Sequence, residues 1–294
     1  MAADPVTGKA SGAGLRHVQL IPLDDNNLPF VAAAAGTMEA GHRFELAKAM
    51  TPTFPEPTIV QHTGSDRVGG QTVLPATELA SYELRTGMTD LEIAATIEGV
   101  NTFSLGEMTA KLMVTDKQGE EPEMGILAYR QATDTRKGSS TRGQTRWIWH
   151  ILPSARVVHQ GAPMEEGAAD EHTYGVYPDK VGKHIWGVDF ATATEGAEEG
   201  QVVLGVGRGQ PILNWALGND TLHDFTFADE NGDAVTARQR ADGDYAVQVW
   251  HYSATAGTVS DVTSSVTIDA TSVDFGAGSE PESDDVIIAL IEQA

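Results

Sequence analysis

With 294 residues, 40% of them hydrophobic, and a formal net charge of −23, the chain is too apolar for a disordered acidic tail and too acidic to hold nucleic acid or an anionic membrane through its overall field. It contains no cysteine, which excludes disulfides, thiolate metal sites and thiol nucleophiles together, so stability must come from packing, with assembly as an optional further source. The charge is lopsided: residues 1–150 carry 18 Asp/Glu against 13 Lys/Arg, residues 151–294 carry 24 against 6, and from Ala241 onward there are ten acids and no Lys or Arg.

Residues 1–14 are small and read as a flexible segment, without the basic start and apolar core of a secretory signal. No run approaches the ~20 apolar residues of a membrane span, so the expectation is synthesis in the cytoplasm and no membrane partner. Leu15 to Leu23 alternates as a strand ended by the turn Asp24-Asp25-Asn26-Asn27. Three prolines between Thr51 and Pro57 break any helix and require an extended crossing. Thr58–His62, Gln71–Leu74 and Ser81–Thr86 follow as short strands, the first two separated by a turn region from Gly64 to Gly70. Thr89 to Gly99 is the helix candidate: Thr89 and Glu92 fit a capping box, Asp90 suits the positive end of the dipole, Ile93 and Ile97 share a face, and Gly99 can end it.

Met108–Thr115 and Met124–Thr133 read as strands paired around the turn from Asp116 to Glu123, and Gln144–Leu152 as an aromatic strand. Gly161 to Glu171 is a loop, and Gly187–Thr192 and Gln201–Gly207 are strands. Gly205, Gly207 and Gly209 before Pro211 suggest a break near residue 210. Beyond it, strands are expected at Asp224–Asp229, Ala234–Arg238, Tyr245–Tyr252, Val262–Ala270 and Asp285–Glu292. Asn231-Gly232 and Asp242-Gly243 mark tight hairpin turns among them. The division is a main domain over 15–210 and a C-terminal β subdomain over 211–294, for which an Ig-like sandwich is one candidate.

Motifs for chemistry are absent or near misses, so no catalytic residue, no cofactor and no metal is assigned. The glycines at 205, 207 and 209 lack dinucleotide-loop spacing and run into proline instead of a helix N-terminus. The run from Asp229 to Asp233 opens like a calcium loop, but its glycine falls too early and no Glu follows at the twelfth position. The nine histidines contain no H-E-x-x-H pair, and His150 and His159 define no metal geometry. Acid pairs such as Glu120-Glu121, Glu165-Glu166 and Asp284-Asp285 read as solvated faces. Non-enzymatic function is the expectation.

Two features point to self-assembly. Arg130, Arg136, Lys137, Arg142 and Arg146 stand against a single acid, Asp134, forming a cationic arm on an anionic body; opposite fields on one molecule favour head-to-tail contact and hence rings or filaments. Several short strands also lack a local tight-turn partner, and exposed strand edges must be covered, closed or joined to another chain.

The run from Gly14 to Asp24 (GLRHVQLIPLD) resembles the opening strand of the major tail proteins, or tail tube proteins, of long-tailed phages and archaeal tailed viruses. Ala49 to Gly87 resembles the segment that follows, most tellingly in residues 57–68 (PTIVQHTGSDRV) and 74–87 (LPATELASYELRTG), and the likeness continues through the helix at Asp90–Glu98 and the strand Arg146–Pro153, covering roughly the first 210 residues. The resemblance implies a mainly β fold: a tail-tube β-barrel or sandwich with one short helix, plus the C-terminal β subdomain. It also implies a structural virion protein that forms hexameric rings, stacked into the tube through which viral DNA passes without specific binding. The implied partners are the chain itself and the tail terminator, tape measure and distal tail proteins. The leading alternative is a binding module, an adhesin or carbohydrate-binding β-sandwich, for which Trp147, Trp149, Trp186, Trp215 and Trp250 would form a stacking platform. A baseplate or spike component is a third option.

Overall fold

The structure is a computed structural model of the chain and describes residues 10–30, 36–44, 47–53, 58–64, 67–74, 80–87, 91–100, 103–104, 111–112, 122–135, 142–161, 171–179, 184–185, 188–189 and 203–294. The chain opens with β1 (Ala10–Pro22), β2 (His42–Phe44), β3 (Ala47–Thr53), β4 (Thr58–Gly64), β5 (Arg67–Leu74) and β6 (Ser81–Thr86), then the helix α1 (Leu91–Ile97). β7 (Phe103–Ser104), β8 (Lys111–Leu112), β9 (Glu123–Asp134), β10 (Thr145–Gly161), β11 (His172–Pro178), β12 (His184–Ile185), β13 (Val188–Asp189) and β14 (Val203–Gly207) follow. The C-terminal part holds β15 (Gln210–Leu217), β16 (Asp224–Thr226), β17 (Val247–Ser253), β18 (Thr258–Asp261), β19 (Thr267–Ile268), β20 (Ser272–Asp274) and β21 (Val286–Gln293). The fold is mainly β with one short helix, built from several antiparallel sheets of which none closes into a barrel among the described residues.

The large sheet has the order β2-β1-β9-β10-β11-β6-β3, with β14 added to the first half of β10. Its two end strands, β2 and β3, are separated by only residues 45 and 46. Three peptide steps span at most about 11 Å, so the sheet must curl to bring its two ends near each other, although no ladder joins them among the described residues. Inside the curl lies an apolar core from alternate positions: Val18 and Leu20 of β1, Ile126 and Ala128 of β9, Leu152 and Val157 of β10, Tyr174 and Val176 of β11, and Leu84 of β6. Ile93 and Ile97 of α1 fill its centre at 3% and 1% exposure, the face their spacing predicts. Gly99 ends the helix at φ 62°, while Thr89 and Asp90 lie outside the described residues.

The opposite face of the same strands builds a second core. Ile21, Leu127 and Ile151 pack against Leu213 and Trp215 of β15 and Val286 and Ile288 of β21. β15 and β21 belong to a four-stranded sheet of order β15-β21-β17-β18, whose far side carries Ile212, Ala216, Ile287, Ala289 and Ile291 against Phe225, Phe227 and Val273 of a small outer layer, β16-β20-β19. The result is three stacked layers with the four-stranded sheet in the middle. Burial on both faces is why β15 (QPILNWAL) and β21 (VIIALIEQ) are nearly continuous apolar runs.

Polar clamps seal the joint. Gln19, 2% exposed, donates from Nε2 to the carbonyls of Ala40 (2.5 Å) and Leu213 (2.8 Å) and accepts from the Leu213 N–H (3.1 Å). Trp215, 1% exposed, donates its indole N–H to Phe30 O at 2.8 Å, and its backbone exchanges hydrogen bonds with Glu39, which covers the edge of β15. Gly41 makes the approach passable: its φ is +65°, and a Cβ there would meet Leu20 O at 2.3 Å and the Trp215 ring at 2.8 Å.

Several elements depart from the sequence expectation. β1 begins at Ala10, because residues 10–13 pair with Gln131–Asp134; residues 1–9 lie outside the described residues. The local pairing of Met124–Thr133 with Met108–Thr115 does not form: β9 lies between β1 and β10, and the described part of 108–115, β8, pairs with β7. β10 runs through Pro153, which sits in a register shift between Leu152 and Ala155 where a ladder donor is not needed. Ala234–Arg238 forms isolated bridges instead of a strand, around the hairpins closed by Gly232 (φ 81°) and Gly243 (φ 97°). β14 of the large sheet ends at Gly207, and the run that follows, read from the sequence as a break, is β15 from Gln210.

Replacing Gln19 by Leu removes three buried hydrogen bonds and leaves the Leu213 N–H and the Ala40 carbonyl without their side-chain partner, while the Leu213 carbonyl keeps the Asn214 amide at 3.2 Å. An unpaired buried group costs about 1–3 kcal/mol. The variant is expected to lose at least ~2 kcal/mol in urea unfolding; a midpoint equal to the parent's contradicts the clamp.

Candidate functional site

The arm expected from the charges divides into parts. β9 and β10 form a hairpin whose base is closed by Asp134 N–H to Gln144 O (3.0 Å) and Gly143 N–H to Asp134 O (2.9 Å). Arg146 is not an exposed contact residue in the protomer: it is 3% exposed, and its Nη2 lies 3.5 Å from the carboxylate of Asp134. Arg130 is half-buried on the helix side of the sheet, close enough to His150 to help burial hold that imidazole's pKa below its ordinary value. Arg142 is exposed at the loop, and Arg136 and Lys137 lie outside the described residues. Strand alternation explains the division: Arg130, Asp134 and Arg146 occupy positions of the same parity as the core residues Ile126 and Ala128, at the end where that core stops.

The five tryptophans do not form one platform. Trp215 is in the joint core, Trp250 packs against the same core, and Trp186 lies outside the described residues. Trp147 and Trp149 share the outer face of the large sheet with their cross-strand partners Gln131 and Tyr129. Trp149 lies across β14, where Gly205 and Gly207 make room; a Cβ on Gly207 would fall 2.2 Å from the indole. The glycines at 205 and 207 therefore serve a close approach of an aromatic ring to backbone.

Next to Trp149 the outer face is open, and a cleft of about 410 Å³ is lined by Arg43, Tyr129, Gln131, Trp147 and Gln210. The Tyr129 and Trp147 rings meet edge to face at 5.5 Å and 89°. Behind them His17, 6% exposed, stacks on Tyr129 at 5.0 Å and 18°. The Tyr129 hydroxyl donates to Gln210 Oε1 at 3.1 Å, and Arg43 Nη1 pairs with Glu230 at 3.0 Å. Burial pushes the Tyr129 pKa up to about 12, against the lowering effect of the Arg43 charge and with a smaller upward push from Glu230. His17 Nδ1, Arg43 Nε and Trp149 Nε1 are buried without a hydrogen-bond partner, a local concentration of unmet polar capacity that packing alone does not favour.

The near misses resolve into structure. The Asp229 carboxylate accepts the N–H groups of Asn231 (2.9 Å) and Asp233 (3.0 Å), closing a hairpin turn. His159 Nε2 lies 3.2 Å from His172 Nδ1, and His251 Nε2 lies 2.7 Å from Asp285. Among the described residues no group of three or more His, Asp or Glu is arranged to hold a metal ion. Sequence reasoning missed Arg43, Tyr129, Gln131, Gln210 and His17. The alternation of Tyr129 with Gln131 and of Trp147 with Trp149 signalled a shared face, but only the pairing of β9 with β10 shows the two faces to be one. No family model matches the chain, and neither the curated proteins nor the solved structures contain a significant match.

Burial first, and the Arg43 guanidinium second, push the His17 pKa from 6.5 down to about 3. The unfolded chain therefore takes up a proton that the folded chain refuses across that window. Stability from this group is full above the unfolded value and declines as pH falls, by up to about 1.4 kcal/mol per pH unit. His17→Phe keeps a ring against Tyr129 and is expected to flatten the acid side of the stability profile between about pH 6 and 4. An unaltered slope assigns the acid sensitivity elsewhere.

Proposed function

We propose that the chain is a structural subunit that assembles into hexameric rings and stacks into the hollow tail tube of a long-tailed virus, with no active site. The observation that carries this reading is the ribbon β4–β5, whose strands pair with each other and with no other strand among the described residues. An isolated two-stranded hairpin is marginal in water, so a ribbon of this length calls for a further surface to hold it. A neighbouring subunit supplies that surface at no cost in new sequence. The ribbon spans residues 58–74, within the stretch whose sequence most resembles tail tube proteins. The exposed outer residues of β3, Thr51 to Thr53, offer a second edge for strand addition.

Electrostatics supports the same reading. A net charge of −23 keeps a passing duplex mobile, because it removes the phosphate contacts that supply non-specific DNA affinity. Arg142, with Arg136 and Lys137 from the same loop, would meet an acidic face of the next ring and set the stacking direction.

Sedimentation velocity is expected to show a ring of about six times 31.2 kDa, and negative-stain microscopy stacked hollow rings. Replacing residues 58–74 by a short Gly-Ser linker should leave a folded monomer that no longer forms rings. Reversing Arg136, Lys137 and Arg142 to Glu should leave the monomer folded and stop polymerisation. A parent chain that stays monomeric at high concentration refutes the proposal, and tubes of normal length in the charge-reversed variant refute the role of the loop.

A further inference from the structure

We propose that the cleft between the large sheet and the start of the C-terminal layers binds a short neutral saccharide, independently of ring assembly. Its volume of about 410 Å³ lies within the ~300–1,000 Å³ of small-molecule sites. The floor is aromatic and the rim is polar. Trp147, half-buried on β10, presents its ring to the cleft and is held edge to face by the buried Tyr129, 3% exposed, so the C–H face of a pyranose packs against Trp147 without losing hydrogen bonds.

The rim selects for hydroxyl groups. Gln131 and Gln210 bring amides, which both donate and accept, as a sugar hydroxyl does. Tyr129 occupies Gln210 Oε1, which orients that amide and leaves its NH₂ to donate to a ligand. Arg43 is the charged lining residue, and its partner Glu230 matches its charge at 3.0 Å. A charged ligand would have to divide this pair, and an anion would also oppose the field of the whole chain. A neutral polyhydroxyl ligand satisfies floor and rim together.

The cleft is pre-formed. His17 backs Tyr129, Trp149 fixes the strand beside Trp147 through its contact with Gly207, and the Gln19 clamp holds β1 to β15, the strand that begins with Gln210. Binding should therefore need little reorganisation.

The test uses the full-length protein, with intrinsic tryptophan fluorescence and saturation-transfer difference NMR, against maltose, cellobiose, lactose and N,N′-diacetylchitobiose, and with sialyllactose as an anionic counterpart. At least one neutral disaccharide is expected to saturate at millimolar concentration. Trp147→Ala and Gln210→Ala should each weaken it tenfold or more, Trp147→Phe should retain part of the affinity, and Arg240→Ala, whose side chain pairs with Asp242 and Asp244 outside the cleft lining, should leave it unchanged. Melting curves identify any variant that has lost its fold, and the Trp147→Phe and Gln210→Ala pair decides the matter if Trp147→Ala has. The proposal fails if no neutral disaccharide saturates, if sialyllactose binds in preference to lactose, or if binding survives Trp147→Ala unchanged. Sedimentation measured in parallel keeps this outcome separate from that of ring assembly.

Discussion

The structure depends on three strands, β1, β9 and β10, being buried on both faces. One face, through Val18, Leu20, Ile126, Ala128 and Leu152, closes over the helix; the other, through Ile21, Leu127 and Ile151, receives Trp215 and Ile288 from the C-terminal layers. Because side chains alternate along a strand, a one-residue slip in any of the three would exchange both cores at once, so register is specified twice over. Gln19 fixes the same relation in polar form, and nothing apolar could replace it without leaving the Leu213 backbone short of partners. The curl of the large sheet, the cleft and the placement of the basic hairpin all follow from this shared wall.

The acidity has two distinct origins. Of the ten acids from Ala241 onward, Asp242, Asp261, Asp274, Glu280 and Asp285 each accept a backbone N–H at a turn. Such bonds hold the carboxyls of Asp274 and Glu280 below their ordinary pKa range, with His223 adding a smaller effect at each. Much of the steep C-terminal imbalance is thus turn chemistry, which a strand-rich segment with short connections requires. The remaining negative field repels phosphate and other anions. It coexists with a large sheet whose cations are partly internal, as the buried Arg146–Asp134 pair shows.

What could be read from the sequence was what local chemistry determines. The Asp24 turn, the helix face of Ile93 and Ile97, the Gly99 stop and the hairpin glycines 232 and 243 each rest on a few neighbouring residues, and each stands in the structure. The strand after residue 210 was not legible, since a run buried on both faces shows no alternation and Gly209-Gln210-Pro211 looks like a break. The partner of β9 was not legible either, because β1, more than a hundred residues earlier, outcompetes the local strand. For the site, charge alone joined Arg146 to the exposed arm, whereas parity along β10 turns it inward beside Asp134. The cleft was invisible for the same reason as the joint: its residues come from β2, β9, β10 and β15, which only the fold assembles.

If the shared wall is the origin of the structure, the three layers cannot unfold separately. Urea unfolding of the monomer followed at once by tryptophan fluorescence, which reports the joint through Trp215, and by far-UV circular dichroism, which reports all strands, tests this directly. The account predicts one transition with coincident midpoints. Two separated transitions, with the C-terminal layers melting apart from the large sheet, would contradict it.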